Sequence, residues 1–464
     1  MARTVSPSPF RAELGQTLQL AGPLALANLL QMAVFATDVM FVARLGQKAL
    51  AASSLAVALI AVLMMGLNGV TSACAPLIAA ELGRRENSVR EVRRSVRMAL
   101  WLAIGLGLAG IALCQFAESF MRMTGQDADL ASMGGDFLAL LSVGMLPMAI
   151  ANVLRTFVSA LGRPILATMI TAVSIVVNAL GDYALVFGHF GLPALGLTGA
   201  ALASIVTTSW TVLAYVAAIE YDRRLRRFHV WGRFWRPEWQ RLRQMLRLGL
   251  PISGTLIAEG GLFSGAAFLM GLVGEAQLAG HTVALQIAAI AFQVPFGIGQ
   301  AATIRIGYHF GGGNVAGVTA AGRAALLTCL VFAGLSAAVI VLFPRFVLSA
   351  YVDVDAPQNA IMVGFAVRYL LVAAAFQFSD SLQAVAAGLL RGIQDTRVPM
   401  VIAVLGYWLS GFAVSVVLGL FTPLEGFGIW LGLAVGLSVA AVLLLARWHG
   451  RARFGLLAAL LRAG

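Results

Sequence analysis

Four acidic side chains stand inside long apolar stretches of this 464-residue chain. They are Asp38 in MAVFATDVMFVARLG, Asp182 in VVNALGDYALVFG, Glu259 in PISGTLIAEGGLFSG and Asp380 in AAFQFSDSLQAVAAG. Asn178 precedes Asp182 by one helical turn and so shares its face. An ionisable group at membrane depth is costly unless it is paired or wetted, and no lysine within an apolar stretch matches these four. Such a set has two uses. It can bind a cation (a proton, Na⁺ or an organic ammonium), or it can act as hydrogen-bonding glue between helices. Asn or Gln would supply glue at lower cost, so four acids together favour cation binding.

Further polar residues are more ambiguous. Gln286, Gln293 and Gln300 recur every seven residues and share a helix face; they either line a polar cavity or bridge neighbouring helices. Arg305, further along the same stretch, reads as a side chain snorkelling to the interface. His281 reads as a satisfied interfacial histidine. The GGG at 311–313 lacks a phosphate-loop context and reads as a flexible helix end. Cys74, Cys114 and Cys329 lie in apolar stretches and read as small core hydrophobes, not a disulfide framework. With no nucleophile triad, thiolate cluster or Walker sequence, neither an enzyme nor an ATP-driven pump is expected, and no cofactor.

The elements that must position these residues are membrane helices. The chain is 60% hydrophobic and 11% charged, with mean hydropathy +0.89; soluble domains carry about 25% charged residues. Disorder is excluded by the same apolar excess. At about 20 apolar residues per span, the length accommodates twelve. Six fall near 17–43, 52–82, 92–120, 130–158, 165–188 and 193–220. Six more fall near 243–272, 278–311, 317–346, 360–388, 397–420 and 425–447. The fold class is therefore all-α polytopic membrane protein, with two six-helix bundles. The division expected is an N-terminal lobe at 1–220, a cytoplasmic linker at 221–241 and a C-terminal lobe at 242–464. The polar N-terminal residues run into an apolar stretch too long for a cleaved signal, so the first helix is expected to be retained.

The net charge of +12 does not point to nucleic acid, because the arginines sit in short loops between apolar segments. Arg84, Arg85, Arg90, Arg93, Arg94 and Arg97 follow the second span, and nine more arginines lie between Arg223 and Arg247. Arg163, Arg391, Arg397, Arg447, Arg451 and Arg453 likewise follow even-numbered spans, whereas loops after odd spans are poor in Arg and Lys. Positive charge marks the cytoplasmic side, which puts both termini there. FHVWGRFWRPEW in the central loop reads as an interfacial belt of Trp and Arg.

The halves repeat at an offset of 228 positions. LGQTLQLAGP (14–23) overlies LRQMLRLGLP (242–251), and Gly46, Leu50, Gly69 and Gly83 pair with Gly274, Leu278, Gly297 and Gly311. An even number of spans precedes the second copy, so the repeats are parallel, related by an axis along the membrane normal. The acids do not follow the repeat: Glu259 falls opposite Gln31 and Asp38 opposite Ala266. Two six-helix bundles around a central cavity suit an alternating-access transporter, and each chain holding its own cavity suits a functional monomer.

With these motifs assembled, the chain resembles the multidrug and toxic compound extrusion (MATE) family over essentially its whole length. The resemblance is carried by the proline-started first and seventh spans with Asp38 and Glu259, by Asn178 with Asp182, by FQFSDSLQ around Asp380, and by LGRP (161–164) and LLRGIQDTRVP (389–399). Glu259 and Asp380 place it with the NorM-like branch. The resemblance implies efflux of cationic or amphipathic drugs from the bacterial inner membrane in exchange for Na⁺ or H⁺. It implies that Glu259 and Asp380 bind the coupling cation in the second lobe. It implies a cation or proton site in the first lobe formed by Asp38, Asn178, Asp182 and a hydroxyl of the sixth span, Ser204. Asp38, Glu259, Gln286 and Asp380 are then the expected substrate contacts. Phe376 stands where several relatives carry Tyr, a departure that removes one oxygen from the second-lobe set. The competing reading is a flippase for a lipid-linked or other amphiphilic substrate, which would be expected to line its cavity with Arg and Lys.

Overall fold

The computed structural model describes residues 9–84 and 88–457; Arg85, the first eight residues and the last seven lie outside them. Among the described residues twelve helices are long and apolar enough to cross a membrane. We label them α1 (Phe10–Ala43), α2 (Gln47–Arg84), α3 (Ser88–Cys114), α4 (Ala128–Ala160), α5 (Pro164–Phe187), α6 (Leu197–Tyr221), α7 (Trp239–Val273), α8 (Glu275–Gly311), α9 (Val315–Leu342), α10 (Pro357–Gly392), α11 (Arg397–Leu420) and α12 (Glu425–His449). The number of spans matches the hydropathy reading. The ends differ where polar residues extend a helix or a turn cuts one. α1 and α7 begin earlier than expected, and α3 ends at Cys114, with Ala117–Met123 forming a separate short helix.

Packing groups the chain into two compact units. One contains Leu26–Ser253, and the other Met1–Ala25 with Gly254–Gly464. The grouping differs from a division in chain order: the first part of α1 belongs with the second half, and residues 221–253 belong with the first. The two breaks, after Ala25 and after Ser253, occupy the same position in the 228-residue repeat, two residues past Pro23 and Pro251.

Paired close contacts hold these starting segments. In the first-half unit, Gly69 of α2 lies so close to Ser253 of α7 that a Cβ would collide with its backbone and hydroxyl. In the second-half unit, a Cβ on Gly297 of α8 would sit 2.7 Å from the Ala25 nitrogen of α1. Small residues at such crossings are what membrane helices use to approach closely. Ion pairs lock the same segments. Arg241 of α7 bonds Glu81 of α2 at 3.1 Å and Glu91 of α3 at 2.8 Å. Arg305 of α8 grips Glu13 of α1 with two bonds of 3.1 and 2.6 Å, and His309 adds a third at 2.8 Å. The snorkelling expected of Arg305 is therefore corrected: its partner is a carboxylate on α1.

The loop before α7 is likewise fixed to the first-half unit. Arg97, 3% exposed, bonds Glu238 at 2.5 Å and the Arg233 carbonyl at 3.0 Å, and Trp101 donates to the Phe234 carbonyl at 3.0 Å. Phe228 is buried edge-on against Phe157 while Trp235 and Trp239 remain exposed. The second-half core is built around a stack of Tyr369, Trp430 and Phe376. His281 packs edge-on against Trp430 at 5.5 Å, fully buried, and neither ring nitrogen is hydrogen-bonded to a described residue. It is a core residue and not a satisfied interfacial one, buried against the Trp430 ring of α12.

Candidate cation and substrate sites

The first-half site is assembled by α1, α5 and α6. α5 and α6 pack side by side; Gly181 faces Ala203 closely enough that a Cβ would lie 3.2 Å from the alanine methyl. That approach sets the polar face of α5 beside Ser204. Asn178 Nδ2 donates to Asp38 Oδ1 at 2.7 Å, and Ser204 Oγ donates to Asp38 Oδ2 at 3.3 Å. Asp182 adjoins Asp38 and is wholly buried. Neither Asp182 oxygen, nor the Asn178 side-chain oxygen, receives a hydrogen bond among the described residues. The structure thus brings Asp38, Asn178, Asp182 and Ser204 together. The cluster presents three buried acceptor oxygens without a donor, beside a second carboxylate and with no basic side chain bonded to either acid. Buried polar atoms are ordinarily satisfied, and two adjacent carboxylates away from water need a proton or a cation in company. Oxygen donors of this kind suit a hard monovalent ion or a proton.

Asp38, Asn178 and Ser204 also line a cavity of about 390 Å³ inside the first-half unit. Its wall is largely apolar, with Phe35, Phe137 and the methionines Met64, Met65, Met145 and Met148. Methionine conforms to ligands of varied shape. A row of hydroxyls, Thr171, Ser174, Thr207 and Thr211, runs along α5 and α6 within it, with Ser174 and Thr211 bonded at 2.9 Å.

The second-half site is assembled by α7, α10 and α11. Glu259 Oε1 accepts from Gln383 Nε2 at 3.1 Å, and Gln383 Oε1 accepts from the Tyr407 hydroxyl at 2.7 Å. Asp380, 3% exposed, stands one turn before Gln383, interacts electrostatically with Glu259 and has one oxygen without a donor. Arg391, near the end of α10, acts electrostatically on both Glu259 and Tyr407. Arg391, expected in a loop, lies within the helix; among the described residues no basic side chain acts in this way on the first pair of acids. Tyr407 sits in a π-helical stretch of α11, Leu405–Phe412, and such insertions re-aim side chains. Phe376 is turned into the aromatic stack with its ring 5.5 Å from Trp430, so it offers the acids nothing.

Gln286 is exposed on α8 and hydrogen-bonds to no described residue; nothing joins it to the acids. Gln293 turns back to its own helix, donating to the Ala289 carbonyl at 3.3 Å. Gln383 was findable from its spacing to Asp380, three residues on along one face. Tyr407 was not, since it comes from another helix through an irregular turn.

The MatE family profile matches residues 23–184 and 251–417. The chain belongs to the MatE family. The two matched segments begin at Pro23 and Pro251, the same offset that relates the halves. MatE relatives align over nearly the whole chain. A protein named probable multidrug resistance protein NorM from Mesorhizobium japonicum is 43% identical over 445 residues, covering 96% of this chain and 95% of that one. One of the same name from Brucella suis is 40% identical, covering 94% and 93%. Solved structures at about a fifth identity share the fold. The eukaryotic MATE transporter AtDTX14 superposes with a TM-score of 0.81 at 21% identity over 95% of this chain and 96% of that one. A MATE in complex with MaL6 superposes at 0.85 and 20% identity over 98% and 100%. These relatives are named as multidrug resistance proteins, and this chain, a MatE member with twelve candidate spans among the described residues, is a multi-pass membrane transporter and not an enzyme.

Proposed function

We propose that this MatE protein is a secondary active multidrug antiporter, exporting cationic and amphipathic compounds in exchange for Na⁺ or H⁺ by alternating access. The observation that carries the reading is the pair Asp38 and Asp182 with three donorless oxygens around them, bordering a methionine-rich cavity. A positive guest completes this site, and a proton, Na⁺ or an organic ammonium each qualifies. Because the guests compete for the same negative charge, binding one lowers affinity for the other, and that reciprocal coupling is the basis of exchange. Asp38, Asn178, Asp182 and Ser204 hold the first-half cation or proton. Glu259 and Asp380, with Gln383 and Tyr407 fixing the glutamate, hold a coupling cation in the second half. Asp38, Glu259 and Asp380 contact the drug at some stage of the cycle, with exposed Gln286 an added polar contact. The NorM names of the relatives support drugs as cargo. The loop arginines support both termini in the cytoplasm of a bacterial inner membrane, and the cavity enclosed in one chain supports a functional monomer.

The test is ethidium efflux from proteoliposomes under Na⁺ and pH gradients imposed separately. One gradient is expected to drive efflux, and Asp38→Asn and Asp380→Asn are each expected to abolish it while the protein still folds. Parent-rate efflux by both variants would refute the carboxylate mechanism.

A further inference from the structure

Between Arg223 and Arg247 nine arginines stand against one acid, Glu238. The structure divides these arginines by partner. Arg241 is held by Glu81 and Glu91, and Glu238 is taken up by Arg94 and Arg97 of α3. Arg233, Arg236, Arg243 and Arg247 are exposed, and no carboxylate of the described residues pairs with any of them.

Their arrangement follows from α7. Trp239, Arg243, Arg247 and Leu250 are spaced by four, four and three residues, which places them on one helix face. All four are exposed, Trp239 at 68% and Leu250 at 59%. Met245, Leu248 and Gly249 on the opposite face are buried, and a Cβ on Gly249 would lie 2.7 Å from the Val70 backbone of α2. One face of α7 is thus fixed into the first-half unit and the other is bare. Along the bare face a tryptophan is followed by two guanidiniums about 6 Å apart along the axis. Leucine follows as the helix enters its apolar span. The preceding loop supplies the flank. Bonds of 3.0 Å from Arg97 and Trp101 to the Arg233 and Phe234 carbonyls pin its backbone, so exposed Trp235 and Arg236 stand on a fixed support.

We propose that this face binds an anionic phospholipid: its phosphate between Arg243 and Arg247 with Arg236 beside them, and an acyl chain along Leu250. The inference does not depend on what the protein transports. Unpaired guanidiniums select an anion, and their forked N–H donors match phosphate oxygens. Trp235 and Trp239 at the boundary between polar and apolar surface, with leucine beyond, select a lipid over an acidic protein segment. Each arginine near an anionic lipid contributes about five-fold in affinity, so Arg243 and Arg247 together contribute about twenty-fold over a zwitterionic lipid.

Native mass spectrometry of the full chain in detergent tests this, because it counts bound lipids one at a time. The probes are phosphatidylglycerol, phosphatidylcholine and, as a competitor without acyl chains, glycerol 3-phosphate. The parent is expected to bind its first phosphatidylglycerol about twenty-fold more tightly than phosphatidylcholine. Replacing Arg243→Gln and Arg247→Gln together is expected to abolish that preference and leave phosphatidylcholine unchanged; Arg243→Lys with Arg247→Lys is expected to keep most of it. Arg323→Gln with Arg453→Gln removes the same charge from two exposed arginines of the second-half unit and is expected to change neither affinity. Should the Gln pair weaken both lipids, the Lys pair decides: a preference kept supports the inference and a preference lost overturns it. Equal affinity of the parent for the two lipids would overturn it. So would an equal loss in the Arg323 and Arg453 variant, which would trace the preference to net charge. Displacement of the first lipid by glycerol 3-phosphate at matched concentration would also overturn it, because the site would then be one for free phosphate.

Discussion

Replacing Asp182 with Asn separates the two uses of an acid inside the membrane. Asp182 is wholly buried, and neither of its oxygens accepts a hydrogen bond from the described residues. Its neighbour Asp38 already holds Asn178 at 2.7 Å and Ser204 at 3.3 Å. As glue, Asp182 contributes little: a hydrogen bond between membrane helices averages about 0.6 kcal/mol, and the one side chain it can hold in this way is Asp38. As one wall of a cation site it contributes much more. A carboxylate 4 Å from a monovalent cation, at an effective dielectric constant of about 20, interacts by about 4 kcal/mol, or about a thousand-fold in cation affinity. Asp182→Asn keeps the shape, removes the charge and adds a donor that Asp38 can accept. The expected result is a melting temperature no lower than the parent's together with loss of cation-driven ethidium efflux in proteoliposomes. A variant that melts markedly lower yet exchanges at the parent rate would show that the residue is structural and refute the reasoning.

Three further outcomes are expected. Glu13→Gln leaves Arg305 without its counter-ion in a largely buried position, which costs about 3 kcal/mol; denaturation in detergent measures it, and a double-mutant cycle with Arg305→Gln should return a positive coupling. Gly297→Ala forces a methyl against the Ala25 backbone and should lower stability by about 1–3 kcal/mol, whereas Gly22→Ala, with nothing within 4 Å of the added carbon, should leave the melting curve unchanged. Tyr407→Phe removes the 2.7 Å bond that fixes Gln383, a loss of about 1 kcal/mol. It should raise the cation concentration needed for half-maximal efflux without changing ligand affinity in the first-half cavity.

Much of this was legible in the sequence because a bilayer imposes coarse rules. Every backbone group in the span must be satisfied within a helix, so twelve apolar runs imply twelve helices. The expense of charge at depth singles out Asp38, Asp182, Glu259 and Asp380 without any knowledge of packing. Partners contributed by distant helices were not legible. Glu13 and Arg305 are 292 residues apart, and read alone Arg305 resembles any interfacial arginine. His281 is polar by type, but the aromatic wall that buries it comes from α12. Tyr407 depends on the π-helical stretch of α11, which has no period that hydropathy reveals. Ser204 was reached only through family resemblance, since one serine in an apolar helix is otherwise unremarkable.

The duplicated and unduplicated features of the two halves bear on what each acid is for. At the repeat offset Gly69 and Ser253 correspond to Gly297 and Ala25, and both pairs form a backbone-close crossing. Glu13 corresponds to Arg241, and His309 to Glu81, so both units carry a hydrogen-bonded polar pair at the same place, with the acid on opposite helices. A purely structural demand survives such a reversal, because a hydrogen bond between two helices holds them whichever one carries the acid. The acids within the spans behave differently. Glu259 has Gln31 at its related position and Asp38 has Ala266, so neither is replaced by a charge of either sign. One site also has the Arg391 guanidinium acting on it, while among the described residues no basic side chain acts in this way on the acids of the other. If the acids served the fold, the repeat that preserved both crossings and both polar pairs would have preserved them as well. Their placement on one side of the repeat at a time fits two sites with different occupants.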